Sequence, residues 1–123
     1  MIAGIGVDIV DLARFDRAIT RTPKLLTRLF AESERDKPAH SLAARFAAKE
    51  AVVKALGRGD LTRAIDIEVV TDEHGSPDLV LHGAAAQLAA ERGITRWHLT
   101  MTHDAGIACA FVVAESDDTG STR

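Results

Sequence analysis

The sequence predicts a single α+β domain with a mainly antiparallel sheet and packed helices. Its length of 123 residues is that of one domain. Helical patterns follow one opening strand in the first half of the chain, and two hairpin patterns dominate the second half. Hairpins grouped after helices favour antiparallel pairing. We expect the domain to span residues 1–115 and the polar residues 116–123 to form a disordered tail.

The first half of the chain predicts one strand and three helices. In the opening strand, Ile5, Val7 and Ile9 fall on one face, and Asp8 falls on the other with glycines. The predicted elements are, in order, the strand 2–10, a helix capped by Asp11 that reaches Arg21, a short helix around 25–30, a polar loop over 32–40, and a long helix 41–56 that Gly57 ends.

The second half predicts two strand pairs that flank an alanine-rich helix. Each pair consists of two apolar segments joined by a short polar turn, the pattern of a hairpin. The predicted elements are the strands 65–69 and 79–81 around the turn 72–77, the helix 83–92, and the strands 97–102 and 107–114 around the turn 103–106.

Composition narrows the class of protein. The net charge is −3, with 15 basic and 18 acidic residues, so we expect no nucleic-acid partner. No apolar segment approaches the roughly 20 residues of a membrane span, so no membrane partner is expected. The single cysteine, Cys109, indicates a reducing, cytoplasmic compartment, and its alternation with Ile107 and Phe111 predicts core packing. With 21 alanines, the core needs closely packed helices or a second subunit.

The helix 41–56 carries charges but lacks a polar face. Large apolar residues cover one side and alanines the other, which predicts a buried helix. Arg45, Lys49, Glu50 and Lys54 nevertheless lie on it, and buried charges need partners, a metal or a ligand. The plainer interpretation is an ion pair between Glu50 and Lys54 with lysines reaching solvent.

Asp8 is unusual in a strand of glycine and β-branched residues. Gly4 and Gly6 leave its face bare, so that a ligand or another backbone can approach. Asp8 and Glu50 are the hard oxygen ligands that suit Mg²⁺, and Lys54 suits a phosphate-bearing substrate. The alternative for Asp8 is a capping role at the next helix. Sequence spacing does not show whether the two acids meet.

Arginines form a row on the helix that ends at Arg21. Arg14, Arg17 and Arg21 lie within about 60° of each other, opposite the apolar stripe. This row is either a solvated face or a local basic patch that docks an acidic protein.

His98 and His103 lie near the last predicted strand pair. They fall on opposite faces of the strand, which excludes a two-histidine metal site there.

Three segments together resemble the holo-[acyl-carrier-protein] synthases, the small phosphopantetheinyl transferases. Residues 4–10 (GIGVDIV) resemble the opening strand of that family. Residues 45–51 (RFAAKEA), continued by Lys54 to Gly57, resemble its signature helix, and residues 98–103 (HLTMTH) its closing strand. The resemblance spans about residues 1–115 and implies the α+β fold of the phosphopantetheinyl transferases.

The resemblance implies a Mg²⁺-dependent transfer of 4′-phosphopantetheine from coenzyme A to a serine of an acidic apo acyl carrier protein. Adenosine 3′,5′-bisphosphate leaves, and the pathway is fatty-acid or polyketide biosynthesis. The resemblance also implies a homotrimer with active sites at subunit interfaces. The implied roles are Mg²⁺ ligation by Asp8 and Glu50, catalysis by these two acids and Lys54, coenzyme A binding by Arg45, Lys54, Gly57 and His103, and carrier-protein docking by Arg14, Arg17 and Arg21.

Some features depart from the family pattern. Thr100 and Thr102 stand where the family usually has serines, and the loop before Arg45 is short and less basic.

Two other functions could use the same residues. One is a metal-dependent hydrolase of coenzyme A or a nucleotide diphosphate, and the other is a non-catalytic module that binds carrier proteins.

Overall fold

A computed structural model describes residues 1–117 and confirms the α+β class with antiparallel sheets. Five strands and four helices occupy this part of the chain, with three short 3₁₀ turns between them. The elements are β1 (Ile2–Asp11), α1 (Leu12–Arg21), α2 (Leu25–Leu29), α3 (Ala39–Leu56), β2 (Ile67–Thr71), β3 (Pro77–Leu81), α4 (Gly83–Glu91), β4 (Ile94–Asp104) and β5 (Ile107–Ser116), and the 3₁₀ turns are Glu32–Glu34, Gly59–Leu61 and Ala64–Asp66.

The strands form two antiparallel sheets. The larger has the order β1–β5–β4, and β2 and β3 form a separate hairpin. In the larger sheet Asp8 pairs with Ala110, and Ala110 pairs in turn with Met101. Alternate residues point to opposite faces of a strand, so these three side chains share the face toward α3. This register places Asp8 at the junction between the sheet and the long helix.

Helix α3 packs on the inner face of this sheet at very short range. A Cβ atom at Gly6 would lie 1.8 Å from the carbonyl oxygen of Ala51, and one at Gly4 would lie 2.2 Å from that of Ala55. The backbones of β1 and α3 therefore touch where side chains would normally intervene. The bare face of β1 thus admits another backbone, which was one of the two predicted alternatives beside a ligand. The close packing also accounts for much of the large number of alanines.

Helices α1 and α2 cover the end of β1. Asp11 caps α1 as predicted, because its side chain accepts a hydrogen bond of 2.8 Å from the backbone N–H of Arg14. Phe15 is buried on the inner side of α1. Its ring meets Phe30 edge-on, with centroids 6.2 Å apart, and lies 5.7 Å from the ring of Phe46. This aromatic group fixes α1 beside the strand that carries Asp8.

Several predicted boundaries are wrong by two or three residues. Strand β2 ends at Thr71 rather than 69, β3 begins at Pro77 rather than 79, β4 covers Ile94–Asp104 rather than 97–102, and β5 ends at Ser116 rather than 114. Two further differences have a clear physical reason. Helix α3 begins at Ala39 rather than Ser41, because Pro38 stands in the extended N-cap position and its fixed φ suits a helix start. Residues Ala64–Asp66 form a 3₁₀ turn, so β2 begins at Ile67 and not at residue 65. The alternation of isoleucine with polar residues runs through both the turn and the strand, and therefore could not locate the start.

The predicted core position of Cys109 is also wrong. Cys109 is half-buried on the outer face of β5, whereas Ala108, Ala110 and Ala114 form the buried inner face against α3. The alternation was correct but the side was not, since Val112 and the three alanines of β5 face the helix, whereas Ile107, Cys109 and Phe111 do not. Several large side chains on the outer face are exposed: Ile5, Val7, Ile9, Ile107 and Phe111.

The termini of the described region are joined. The amino group of Met1 donates a hydrogen bond of 2.8 Å to the carbonyl oxygen of Ser116, the last residue of β5. The predicted tail, 116–123, lies outside the described residues from position 118 onward. None of the helices within residues 1–117 is long and apolar enough to cross a membrane.

Candidate active site

Strand β1 and helix α3 bring Asp8, Glu50 and Lys54 together, a group that we call the open cluster. The ammonium group of Lys54 donates 3.1 Å to a carboxylate oxygen of Asp8 and 2.9 Å to the carbonyl oxygen of Val7. Glu50 precedes Ala51, whose carbonyl oxygen lies against Gly6, two residues before Asp8. The close contact of the two backbones is thus what places both acids in one site.

The charges of the open cluster are unbalanced. The pKa of Glu50 is raised, first because the carboxyl group is partly buried and second because Asp8 is negative; Lys54 opposes this effect. Lys54 is 56% exposed at its side chain and lies against Asp8, where the plainer interpretation had it paired with Glu50. Two acids face one lysine, so the site favours an additional cation.

The donor set fits Mg²⁺. Asp8 and Glu50 offer hard carboxylate oxygens, the ligands that this ion prefers. Within residues 1–117, no group of three or more His, Cys, Asp or Glu side chains is arranged to hold a metal ion. Two protein ligands are nevertheless typical of Mg²⁺, which keeps several waters and takes further oxygens from substrate phosphates.

Two clefts meet at Asp8. The larger, of about 420 Å³, has an apolar lining from α1, α2 and α3, with Asp8 and Arg14 among its polar residues. The other, of about 340 Å³, is lined by Val7, Asp8, Ile9 and Lys54. A substrate group can therefore approach the open cluster from two directions.

The arginine row lies on the outer side of α1. Arg14, Arg17 and Arg21 are exposed, while Phe15 on the opposite side is buried. Arg14 also lines the larger cleft beside Asp8. The row therefore extends from the cleft beside Asp8 along the helix surface.

His103 lies near the start of α3, away from His98. Its ring centroid is 5.2 Å from that of His40, a residue that the sequence placed in a loop. Both rings line a pocket of about 200 Å³ together with Ser41 and Thr102. His98 is on the opposite face of β4, 2.9 Å from a carboxylate oxygen of Glu115, so the predicted separation of the histidines is confirmed.

Arg45 is not in the open cluster. It lies about 140° around α3 from Glu50, and it is 4% exposed. Its Nη1 atom is 2.5 Å from the carbonyl oxygen of Val69 and 3.5 Å from a carboxylate oxygen of Glu34, and its Nε atom donates 3.2 Å to the hydroxyl of Ser41. Arg45 thus has protein partners at two nitrogens, and its contact with coenzyme A stays a prediction.

Gly57 ends α3 as predicted. Its φ of 76° lies in the left-handed region, where glycine is favoured as a helix terminator. A Cβ atom there would lie 3.9 Å from the guanidinium of Arg92, so a cation stands beside this turn. The capping role accounts for the glycine, and its predicted contact with coenzyme A stays untested.

Sequence reasoning missed Glu34, the fully buried anion of a second group with Arg45 and Lys49, which we call the buried cluster. One oxygen of Glu34 lies 2.7 Å from the ammonium of Lys49, and the other accepts 3.2 Å from the N–H of Val69. The pKa of Lys49 is lowered by burial, although Glu34 counteracts it. The only signal was chemical: a buried Lys49 required an anion, and the polar segment 32–36 contains three acids.

Residues 4–112 match the family ACPS, the 4′-phosphopantetheinyl transferase superfamily. The chain belongs to this family. The match covers all three sequence motifs and confirms the predicted enzyme class, a phosphopantetheinyl transferase.

Individual relatives agree with the family match. A holo-[acyl-carrier-protein] synthase of Clavibacter michiganensis subsp. michiganensis is 62% identical over 117 residues, 95% of this chain and 98% of the relative. The fold matches the crystal structure of the Neisseria meningitidis enzyme of the same name with a TM-score of 0.84 and 36% identity, over 94% of this chain and 100% of the other. It also matches the Helicobacter pylori enzyme in complex with coenzyme A, with a TM-score of 0.80 and 33% identity, over 90% and 99% of the two chains.

Proposed function

We propose that this enzyme transfers 4′-phosphopantetheine from coenzyme A to a serine of an acidic apo acyl carrier protein, with Mg²⁺, and releases adenosine 3′,5′-bisphosphate. The observation that carries the proposal is the open cluster, in which two acids from different elements share one lysine beside two clefts. The relatives named as holo-[acyl-carrier-protein] synthases, and a related structure that contains coenzyme A, support the choice of both substrates.

The reaction forms a bond between the serine oxygen and the β-phosphorus of coenzyme A, and it breaks the phosphorus–oxygen bond to the leaving nucleotide. Such transfers depend mainly on positioning and on charge stabilisation. Lys54 places its ammonium beside Asp8, where it offsets negative charge on the diphosphate. Glu50 is the candidate acceptor of the serine proton, because its carboxylate lies close to Asp8 and Lys54 in the open cluster. Asp8 and Glu50 would hold Mg²⁺, which when bound supplies positive charge next to the diphosphate.

The arginine row supports an acidic protein as the acceptor. Arg14, Arg17 and Arg21 are exposed on the helix that borders the larger cleft. In a chain with a net charge of −3, this local basic surface would orient an acidic carrier protein and speed its association. The docked protein would then present its serine toward Asp8.

The outer face of the larger sheet supports the proposed homotrimer. Five large apolar residues are exposed there, with 54% exposure at Ile5, 63% at Ile9 and 43% at Phe111. An apolar surface of this kind marks a protein contact. Because β1 presents Asp8 inward and its apolar residues outward, a neighbouring subunit on this face would add a wall next to the site.

We place the enzyme in the cytoplasm, since its single cysteine suits a reducing compartment.

Mass spectrometry of candidate apo carrier proteins tests the function. After incubation with the enzyme, coenzyme A and Mg²⁺, we expect the carrier to gain one phosphopantetheine group on a serine, and no gain in the absence of enzyme. Release of adenosine 3′,5′-bisphosphate without any carrier would instead indicate a hydrolase. Carrier binding with no mass gain would indicate a non-catalytic module.

A further inference from the structure

The buried cluster joins three regions that are distant in sequence. Glu34 comes from the 3₁₀ turn before α3, Arg45 and Lys49 lie one turn apart on α3, and Val69 belongs to β2. The carboxylate of Glu34 is 2.7 Å from Lys49 and 3.5 Å from Arg45. A single anion therefore lies within ion-pair distance of two cations, and its loss would leave each of them without its charged partner.

Side chains of this cluster replace a neighbouring strand at the outer edge of β2. The N–H of Val69 donates to Glu34, and its carbonyl oxygen accepts from Arg45. The carbonyl oxygen of Ile67 accepts from Lys49. An edge strand leaves such groups without backbone partners, and here charged side chains satisfy them. This explains why the cluster is buried, and Arg45 takes part in the anchoring through the carbonyl oxygen of Val69.

Arg45 has a feature that anchoring does not require. Its Nε and Nη1 atoms are held by Ser41 and by Val69 with Glu34. Among residues 1–117, every buried side-chain nitrogen or oxygen has a hydrogen-bond partner, and Nη2 of Arg45 makes none of the described hydrogen bonds. It follows that Nη2 keeps some contact with solvent, although Arg45 as a whole is only 4% exposed. An arginine held at two nitrogens and open at the third is preorganised to bind an anion.

Arg45 lines a small polar pocket. The pocket has a volume of about 260 Å³, and Lys37 adds a second cation to its lining. The hydroxyl of Ser33 is also there, where it donates 2.5 Å to Glu68. Glu68 lines the pocket as well, so two cations face one carboxylate. The surplus of positive charge suits a phosphate group.

We propose that Glu34 is a positioning residue for coenzyme A binding, which holds the guanidinium of Arg45 directed into this pocket to receive a phosphate group of coenzyme A. This inference rests on the proposed function, specifically on coenzyme A as the donor and on Arg45 as one of its contacts. Glu34 itself touches no substrate. Its role is to limit Arg45 to one orientation, so that little conformational freedom is lost when the phosphate binds.

A pair of matched variants separates this role from a purely structural one. Lys49→Met removes one buried cation and leaves Glu34 with Arg45 and the N–H of Val69. Glu34→Gln combined with Lys49→Met also removes the carboxylate, without leaving the Lys49 ammonium buried and unpaired. The measurements are the melting temperature, the Kd of coenzyme A by calorimetry, and the KM and kcat of carrier-protein labelling, in both variants and in Arg45→Gln.

We expect Lys49→Met to bind coenzyme A with the wild-type Kd. The double variant should bind about tenfold more weakly, the effect of one charge-assisted hydrogen bond, with an unchanged kcat and an unchanged KM for the carrier protein. Arg45→Gln should weaken coenzyme A binding to a similar degree. Equal Kd values in Lys49→Met and the double variant would overturn the role of Glu34, as would a wild-type Kd in Arg45→Gln.

Failure of the proposed function would look different. A wild-type enzyme that binds coenzyme A but labels no carrier protein would refute the transfer reaction, while the Kd comparison between the two variants would still decide the role of Glu34. A wild-type enzyme that does not bind coenzyme A at all would refute both.

Discussion

The two charge clusters lie on the same helix and differ in almost every physical property. Arg45 and Lys49 face Glu34 in the core, where Lys49 and Glu34 are fully buried and each buried polar atom has a partner. Glu50 and Lys54, also four residues apart, face Asp8 at the surface, where two acids share one exposed lysine. In the buried cluster two cations share one carboxylate, whereas in the open cluster two carboxylates share one lysine. The buried cluster fixes its side chains in place, whereas the open cluster leaves its two acids available for chemistry.

The open cluster should control activity and not stability. We expect Asp8→Ala and Glu50→Ala to lower the rate of carrier-protein labelling about a thousandfold, since each removes a proposed metal ligand from the reacting diphosphate. Thermal melting should show both variants folded. Glu91→Ala, which changes an exposed acid on α4, is the matched control and should label at the wild-type rate. Full activity in Asp8→Ala and Glu50→Ala would remove the metal assignment.

The buried cluster should control stability. Glu34→Ala leaves the ammonium of Lys49 buried without its carboxylate, and we expect a loss of about 3–5 kcal/mol in the free energy of unfolding. Urea denaturation measures this loss. Glu32→Ala removes an exposed acid from the same 3₁₀ turn and should cost less than about 0.5 kcal/mol. Equal effects of the two variants would show that the buried cluster contributes little to stability.

The backbone contact between β1 and α3 should affect both properties together. In Gly6→Ala the new Cβ would lie 1.8 Å from the carbonyl oxygen of Ala51, so strand and helix must separate. We expect a destabilisation of about 3 kcal/mol and a loss of activity, because Asp8 and Glu50 move apart. Gly59→Ala meets only an ordinary contact of 3.4 Å with Val53 and serves as the control in melting and labelling assays. A stable and active Gly6→Ala variant would refute the close contact.

The arginine row should affect only recognition. We expect Arg14→Glu with Arg17→Glu to raise the KM for an acidic carrier protein by tenfold or more, and to leave the melting temperature unchanged, because both side chains are exposed. The effect should shrink as salt concentration rises in steady-state assays. The pair Arg28→Glu and Arg96→Glu makes the same change of charge outside the row. If that pair raised KM equally, net charge rather than the row would explain docking.

Most features of the fold that the sequence predicted correctly come from patterns within a single helix or strand. The lack of a polar face predicted the burial of α3, glycines on β1 predicted a close approach, and Asp11 and Gly57 predicted helix ends. Those signals lie within a few residues of one another. The grouping of Asp8 with Glu50 was a hypothesis from chemistry, and the three motifs together identified the family before any geometry was known.

Long-range features could not be predicted in the same way. Glu34 pairs with Lys49 across 15 positions, and nothing in its own segment distinguishes it from Glu32 or Asp36. Alternation in β1 and β5 gave the two faces of the sheet but not which face meets α3. Small residues face the helix where its backbone comes close, so Ile5, Val7 and Ile9 of β1 and Cys109 of β5 lie on the outer face. That choice depends on the packing partner and is not encoded in strand periodicity.

The melting temperature of Glu50→Gln at pH 8 without Mg²⁺ is the most direct test of the difference between the clusters. The pKa of Glu50 is raised above its usual 4.5, so the folded state becomes less stable relative to the unfolded state as pH rises from that value through the raised one. Removing the charge should therefore leave the melting temperature equal to or above that of the wild type. A fall comparable to that of Glu34→Ala would show that Glu50 holds the fold, and would contradict the account.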